Sequence, residues 1–177
     1  NDERVVVSTA TINLQQQLLE KDIPLVVRLL GQDPGCSLVK GRGNYVCLTR
    51  LAEALEEFAL FAGELEGGAD GEEGPAAGSG EGGEDGLAGL RAIQEWAVGS
   101  PTGSRSDLAF YPGEELWSRV CSEADACLGL RCARREECFV LKARREAAAS
   151  RLLVTNHHLL FADLALRLSG LGFDASA

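Results

Sequence analysis

Short apolar runs at the start of the chain predict strands on either side of a helix. Val5–Val7 is a β-branched run that predicts a buried strand, and the small hydroxylated residues after it suit the turn into a helix cap. A helix is predicted over 12–21, because Pro24 stops the helical pattern. The run LVVRLL at Leu25–Leu30 predicts a second buried strand. Strand, helix and strand at this spacing predict a βαβ unit and a parallel sheet.

The middle of the chain has the apolar spacing of helices. Leu51, Leu55, Phe58 and Ala62 recur at intervals of three or four residues, and they predict a helix of about 14 residues after Cys47. Further helices are predicted near 87–98, 114–120 and 142–151, with a loop over 101–112.

The last part of the chain returns to a sheet-forming pattern. The run LLVT at 152–155 predicts a third buried strand, and a helix is predicted over 157–168. Sheet-forming ends at 1–35 and 152–177 thus bracket a mainly helical middle at 36–151. This pattern predicts an α/β protein in which a helical domain is inserted into a parallel-sheet domain.

One acidic, glycine-rich block stands apart from these elements. Residues 63–88 hold ten of the chain's 21 glycines and eight acids. Because so little apolar surface cannot offset the entropy of ordering, we predict a flexible surface loop there. Between Arg50 and Arg91 there are eleven acids and no base, so the formal net charge of −10 comes from this region. The rest of the chain is near neutral, and a nucleic-acid partner is not excluded.

Composition places the chain among soluble globular proteins, with 45% hydrophobic and 25% charged residues. No apolar run reaches the roughly 18 residues of a membrane span, and no basic-then-apolar leader opens the chain. We therefore expect no membrane association and a cytoplasmic location. In such a reducing compartment, clustered cysteines more often bind metal than form disulfides, and the chain has six cysteines.

Three of the cysteines form a C-x4-C-x5-C run, namely Cys127, Cys132 and Cys138. Spacing alone leaves the fourth thiolate open, the candidates being Cys36, Cys47 and Cys121. Soft thiolate ligands hold iron–sulfur clusters or zinc. Zinc sites prefer two C-x2-C-like pairs, whereas three close ligands with a fourth far upstream are more usual for a 4Fe–4S cluster. The spacing therefore favours a cluster, with zinc or unligated buried cysteines as alternatives.

The residues around the cysteines resemble the DinG/XPD family of iron–sulfur DNA helicases, most closely its bacterial DinG branch. Four segments carry the resemblance in the family's order: VVVSTATINLQQQLLEKDIP, KGRGNYVCLTRL, CLGLRCARREECF and ARREAAASRLLVTNHHLLFADL. Four segments in sequence are much more specific than any one alone. The resemblance implies that the parallel strands belong to a P-loop helicase motor and that the helical middle is an inserted 4Fe–4S domain. The chain would then be the central part of the first motor domain.

The resemblance also assigns the cluster ligands. In the family, the first ligand is the cysteine of the KGR-x-NYxC segment and the other three are the C-x4-C-x5-C run. The implied ligands of the 4Fe–4S cluster are Cys47, Cys127, Cys132 and Cys138. Cys36 and Cys121 fall outside this pattern, and we expect them to be buried or bystander thiols.

The resemblance implies the activity of an ATP-dependent helicase that translocates 5′ to 3′ on single-stranded DNA, in a repair or replication role. This chain has no G-x4-GK[ST] segment, since none of its three lysines follows a glycine, and it has no DEAH. In P-loop enzymes those motifs bind the phosphates and help to hold Mg²⁺. We therefore expect ATP and Mg²⁺ only in the complete protein, and no activity from this chain by itself.

Two groups of residues are expected to contact single-stranded DNA. Thr9 and Thr11 lie, by resemblance, where the motor contacts the DNA backbone, and hydroxyls at a helix N-terminus suit phosphate. An ordinary helix cap is the alternative for them, compatible with the first. The second group is the basic loop, residues 40–45, in which cations would meet phosphates and a ring would stack on a base. Its candidates are Lys40, Arg42, Asn44 and Tyr45.

A basic stretch and two histidines complete the candidates. From Arg119 to Arg151 there are eight bases and five acids, which favours a DNA-tracking face over the alternative of a solvated helix surface. His157 and His158 are neighbours on a predicted helix and point in different directions. That arrangement disfavours a shared metal ion and favours a capping or packing role.

The sequence thus predicts the 4Fe–4S segment of an ATP-dependent DNA helicase. Its expected partners are single-stranded DNA and the rest of the helicase chain, and the protein is expected to be a monomer. The alternative is a stand-alone zinc or redox-sensing iron–sulfur module that binds nucleic acid without motor activity. An intact upstream GK[ST] and a downstream DEAH in the complete gene product would exclude that alternative.

Overall fold

Two compact units make up the chain in the computed structural model, which describes residues 3–66 and 81–169. The sheet unit is the chain up to Gly41 and from Val140 onward, and the cysteine unit is Arg42–Phe139. The insertion in the structure is therefore narrower than the expected 36–151. A strand that begins at residue 36 and most of the helix before residue 152 belong to the sheet unit.

The described part of the sheet unit contains a three-stranded parallel sheet in the order β1-β3-β2. Its strands are β1 (Val5–Thr9), β2 (Cys36–Val39) and β3 (Leu152–Asn156). Val7 of β1 and Leu38 of β2 both pair with Val154 of β3, whose side chain is fully buried. A parallel strand with neighbours on both sides is usually buried and has a nearly continuous apolar sequence, and the central strand β3 fits this description. The parallel sheet and the strands predicted at 5–7 and 152–155 are confirmed. The burial predicted for β1 is wrong, because Val5 is 54% exposed and Val6 is 46% exposed, and among the described residues only β3 pairs with β1.

The run at Leu25–Leu30 is helical, and the prediction of a buried strand there is wrong. Three helical segments follow one another directly: α1 (Ile12–Gln17), a π-helical segment (Leu18–Asp22) and α2 (Ile23–Leu30). Pro24 lies in the first turn of α2, where a proline is tolerated. A short apolar run of this kind cannot be assigned to strand or helix by periodicity alone, because both can bury it.

The second strand lies beyond the end of α2 instead. Gly31 has a φ of 67°, and its N–H donates to the carbonyl of Val27, which closes the helix. β2 then follows, and β3 separates it from β1. The Thr155 hydroxyl of β3 donates to the carbonyl of Val39 over 3.2 Å. The strand–helix–strand crossover therefore has its two strands on either side of a third strand from the far end of the sequence.

The helices predicted before and after β3 are confirmed, as α6 (Phe139–Ala149) and α7 (His157–Leu168). The side chain of Asn156 accepts a hydrogen bond from the N–H of Leu159 over 2.7 Å and caps α7. At the end of α6, the Ser150 hydroxyl lies 2.6 Å from that of Ser37 in β2. This contact joins the turn before β3 to the neighbouring strand.

Three α-helices lie in the described part of the cysteine unit: α3 (Leu48–Glu66), α4 (Glu81–Gly99) and α5 (Glu114–Val120). α3 contacts both of the others. Leu90 and Ile93 of α4 and Val120 of α5 are fully buried between them, and Trp117 is 3% exposed. The helices predicted after Cys47, near 87–98 and at 114–120 are confirmed.

The block predicted to be flexible, 63–88, is helical at both ends. α3 continues to Glu66, and α4 already begins at Glu81. A Cβ added at Gly86 would lie 3.1 Å from the ring of Phe58, so this part of the block packs against α3. Burial of the apolar face of α4 outweighs the roughly 1 kcal/mol that each helical glycine costs. Residues 67–80, the rest of the block, lie outside the described residues.

α3 and α4 are the longest helices of the described chain, at 19 residues each, and both contain several charged residues. Among the described residues, no helix combines the length and the apolar character needed to cross a membrane.

Candidate metal and nucleic-acid site

The C-x4-C-x5-C run of the cysteine unit is a chain of consecutive tight turns. Each of its cysteines donates its backbone N–H to a carbonyl three residues earlier: Cys127 to Ala124 over 3.4 Å, Cys132 to Gly129 over 3.3 Å and Cys138 to Arg135 over 3.2 Å. The carbonyl of Cys132 in turn accepts from the N–H of Arg135 over 3.2 Å. Turns of this kind order a segment that lies outside the regular helices and strands.

Cys47 lies immediately before α3, and its backbone is fixed on both sides. Its N–H donates to the carbonyl of Val120 over 2.8 Å, and its carbonyl accepts from the N–H of Leu51 over 2.9 Å. Two residues further on, the Thr49 hydroxyl lies 3.5 Å from the sulfur of Cys132. The structure therefore brings the middle cysteine of the run to the first turn of α3.

The four implied ligands are all accessible to a metal. Cys127 is exposed, and the other three, Cys47, Cys132 and Cys138, are half-buried. An all-sulfur donor set fits iron or zinc chemically. Within the part of the chain that the structure describes, however, no three His, Cys, Asp or Glu side chains lie close enough together to hold a metal ion.

The other two cysteines have different surroundings. Cys36 lies in β2 of the sheet unit, whereas Cys121 is a buried residue of the cysteine unit. Burial raises the pKa of both thiols, with the charge of Asp33 adding to the effect at Cys36. A thiol that resists ionisation is a poor metal ligand, which fits a packing role.

Two arginines hold the segment that leads into the cysteine run. Arg50 of α3 donates to the carbonyl of Cys121 over 2.6 Å and pairs with the carboxylate of Glu123 at 3.3 Å. Arg42 of the basic loop donates to the carbonyl of Glu123 over 3.4 Å. Sequence reasoning did not single out Arg50. The available signal was its position inside the KGRGNYVCLTRL segment, three residues after Cys47.

The basic loop is divided between the two units. Lys40 belongs to the sheet unit, while Arg42 and Asn44 form a 3₁₀ turn in the cysteine unit. Tyr45 is only 5% exposed, and its backbone pairs with Ser104. The Tyr45 ring is therefore part of the core in this structure and is not exposed for the base stacking predicted for it.

The two threonines expected to contact DNA lie at the end of β1 in the sheet unit. Thr9 is buried, and its hydroxyl donates to the carbonyl of Thr11 over 3.1 Å. Thr11 is exposed, and its hydroxyl accepts from the N–H of Leu14 over 3.3 Å, so it is the cap of α1. The helix-cap interpretation of Thr11 is confirmed, and of the two hydroxyls only that of Thr11 lies at the surface.

The histidines have structural contacts. Nδ1 of His157 lies 2.6 Å from the Ser8 hydroxyl, and this contact joins the end of β1 to the first residue of α7. The His157 ring also lies 6.1 Å, centre to centre, from that of Phe161 on the next turn of α7. The cap of α7 is supplied by Asn156 rather than by a histidine.

The stretch from Arg119 to Arg151 does not belong to a single unit, because residues up to Phe139 lie in the cysteine unit and later ones in the sheet unit. Arg119 lies 4.0 Å from the carboxylate of Glu57 and 5.5 Å from the centre of the Phe58 ring. The residues of the DNA-tracking face predicted from the charge count thus belong to two units, the cysteine unit and the sheet unit.

Comparison with known proteins relates nearly the whole chain to named helicases. No family model matches the sequence. The chain is 31% identical over 171 residues to the ATP-dependent DNA helicase YoaA of Haemophilus influenzae and 33% identical over the same length to YoaA of Escherichia coli, which is 96% of this chain. It is 36% identical to the ATP-dependent helicase DinG of Mycobacterium tuberculosis over 92% of its length. The chain spans about a quarter of the length of these relatives, 23% to 24%.

Proposed function

Because the chain belongs to the DinG-like helicase family, we propose that it is the 4Fe–4S segment of an ATP-dependent helicase that moves 5′ to 3′ on single-stranded DNA. The observation that carries this proposal is the match over 96% of the chain to proteins named as ATP-dependent DNA helicases. ATP binding and hydrolysis would reside in parts of the protein beyond this chain, which contains neither GK[ST] nor DEAH. A cytoplasmic location remains a prediction from the sequence.

The proposed cluster ligands are Cys47, Cys127, Cys132 and Cys138. The all-sulfur donor set supports this assignment, as do the turns that order the run and the contact of Thr49 with Cys132. When bound, a cluster would be held by the four thiolates and would cross-link the start of α3 to the run about 80 residues later, which would stabilise a run that is built of turns. The residues of the chain contribute the fixed backbone at Cys47 and the turns at the other three.

The proposed contacts with single-stranded DNA are made by the basic loop and by the end of β1. Arg42, Lys40 and Asn44 offer polar groups that suit phosphates. At the end of β1, the exposed hydroxyl of Thr11 is the better placed of the two threonines. Contacts that neutralise phosphates dominate the part of the affinity that does not depend on the DNA sequence. Cations such as Arg42 and Lys40 therefore suit a protein that moves along a single strand.

Iron content is the measurement that tests the cluster. Anaerobically purified protein should contain about four irons and four sulfides per chain. Cys47→Ser, Cys127→Ser, Cys132→Ser and Cys138→Ser should each lose iron, whereas Cys36→Ser and Cys121→Ser, normalised to folded protein, should keep it. Stoichiometric zinc without iron would contradict the proposal and favour a zinc module.

DNA binding by the full-length protein tests the second part of the proposal. Arg42→Ala should weaken binding to all single strands alike and lower the salt dependence by slightly less than one unit of log–log slope. Because Arg42 also donates to Glu123, Arg42→Lys separates the two roles: the charge and the salt slope should remain. Arg91→Ala, on the exposed face of α4, is the matched control. Unchanged affinity and slope in Arg42→Ala would overturn this contact.

A further inference from the structure

An arginine of the cysteine unit connects an exposed aromatic ring to the basic loop. The guanidinium of Arg105 lies 5.1 Å from the centre of the Tyr111 ring and 5.5 Å from that of the Trp117 ring. Both distances are within the range of cation–π attraction. The indole N–H of Trp117 donates to the carbonyl of Gly43 over 2.8 Å. Tyr111, Arg105 and Trp117 therefore form a continuous series of contacts, the aromatic stack, that ends on the basic loop.

Glu114 fixes the outer end of this aromatic stack. Its carboxylate accepts two hydrogen bonds from Arg105, over 3.0 Å and 2.9 Å, and one from the Tyr111 hydroxyl over 2.8 Å. The hydrogen bond from Arg105 is the main cause that lowers the pKa of Glu114, so the carboxylate is ionised and paired at neutral pH. The Tyr111 ring is thus held at its hydroxyl and against the guanidinium, and the Glu114 carboxylate that it contacts is paired with Arg105.

Exposure differs sharply along the aromatic stack. Tyr111 is 72% exposed and the adjacent Phe110 is 40% exposed, whereas Trp117 is 3% exposed. A tyrosine that is fixed but not buried presents a rigid apolar face at low cost in conformational entropy. Tyr45, the ring that the sequence assigns to base stacking, is buried in the same unit. The contacts of the basic loop lead instead, through Trp117 and Arg105, to an exposed ring, that of Tyr111.

We propose that the Tyr111 ring is a stacking site for a base of single-stranded nucleic acid whose phosphates meet the basic loop. Every base has a π-face, so a rigid ring backed by a cation accepts bases with little regard to sequence. This inference rests on the proposed function, because it assumes that the helicase binds single-stranded DNA. Arg105 is a positioning residue in this site, since it holds the ring that would touch the base.

The first test compares two substitutions in the full-length, cluster-loaded helicase, with binding to a fluorescently labelled oligothymidine measured by anisotropy. Tyr111→Leu removes the ring and should weaken binding roughly five- to a hundred-fold, the range for one base–aromatic contact. Tyr111→Phe keeps the ring and should stay within about two-fold of the wild type. The salt dependence should be the same for all three proteins, because no phosphate contact is lost.

The second test asks whether the lost contact is to a base. A single abasic site is moved along the oligonucleotide. The wild type should lose affinity at one position, and Tyr111→Leu should lose none there, because the partner of the missing base is already gone. Val98→Ala, at an exposed apolar residue of α4, is the control and should respond to abasic sites as the wild type does.

The outcomes separate this inference from the proposed function. If the wild-type protein does not bind single-stranded DNA, both the stacking site and the proposed function are wrong. Normal binding by the wild type and by Tyr111→Leu would overturn the stacking site and leave the proposed function standing. Weaker binding by Tyr111→Leu that simply adds to the abasic penalty at every position would also overturn it, and would favour contact of Tyr111 with a protein surface. Coupling at one abasic position supports the site.

Discussion

The Arg50 guanidinium donates to the main-chain carbonyl of Cys121 over 2.6 Å, across 71 positions of the sequence. Its side chain is 21% exposed, and Cys121 is 7% exposed, so the bond is largely shielded from water. The same arginine pairs with Glu123, four residues before Cys127. Arg50 therefore connects the first turn of α3, next to one proposed ligand, to the segment that leads into the other three.

Arg50→Met should destabilise the cysteine unit. A hydrogen bond from a charged donor to a shielded carbonyl contributes about 1.5–3 kcal/mol, and its loss leaves that carbonyl unsatisfied. Both tryptophans of the chain, Trp96 and Trp117, lie in the cysteine unit, so urea unfolding followed by tryptophan fluorescence reports this unit. Arg91→Met, at an exposed position of α4, should change stability by no more than about 0.5 kcal/mol. Equal stability of the two variants would show that the Arg50 contact contributes nothing.

Gly103→Ala should be among the most destabilising small substitutions in the cysteine unit. Gly103 has a φ of 61°, and an added Cβ would lie 2.2 Å from the ring of Phe139, which is 8% exposed and has little room to move. Strain and overpacking together should cost about 3 kcal/mol or more in urea unfolding. Gly113→Ala tests strain alone, since its φ of 73° and ψ of 159° lie in a region that almost only glycine adopts and nothing lies within 4 Å, and it should cost about 1–3 kcal/mol. Similar losses in both variants would contradict the clash.

Elements with strong local signals were predicted well from the sequence. α5 begins and ends where the sequence placed it, at Glu114 and Val120, since Gly113 precedes it at a φ of 73° and acids fill its first turn. The prediction failed at Leu25–Leu30, where an apolar run suits either structure. β2 forms instead, at Cys36–Val39, because β3 supplies hydrogen-bonding partners from more than a hundred positions away. No local pattern contains that information.

The candidate site also has parts that the local sequence predicts and parts that depend on distant residues. The cysteine spacing and the basic loop are local motifs, so the sequence was sufficient to find them. The burial of Tyr45 depends on Ser104, its backbone partner in a distant loop, and the exposed ring of Tyr111 depends on Arg105 and Glu114. Such contacts arise from tertiary packing, and composition gave no signal for them.

Cys121 should make the cysteine unit less stable at alkaline pH. Burial raises its pKa above the ordinary 9.0, so the folded chain keeps the thiol proton while the unfolded chain begins to lose it. The contribution of this thiol to the free energy of unfolding is fully present below pH 9.0, and it falls as the pH rises from there through the folded-state pKa. The metal-free, reduced protein can be unfolded in urea and followed by tryptophan fluorescence. Between about pH 8 and 10.5, the free energy of unfolding should fall less in Cys121→Ser than in the wild type. Cys36→Ser should follow the wild type, because Cys36 lies in the sheet unit; parallel pH curves for Cys121→Ser and the wild type would contradict this prediction.

Removing residues 67–80 should leave binding to single-stranded DNA intact in the full-length protein. This segment carries three acids, Asp70, Glu72 and Glu73, and no base, so its deletion only reduces repulsion of the phosphates. Affinity should be unchanged or slightly higher at low salt, and any gain should disappear near 1 M salt, where the Debye length is about 3 Å. Neutralising the three acids to amides at full length should have the same effect, because charge rather than length is responsible. Loss of binding in either variant would mean that the acidic segment contributes directly to the DNA site.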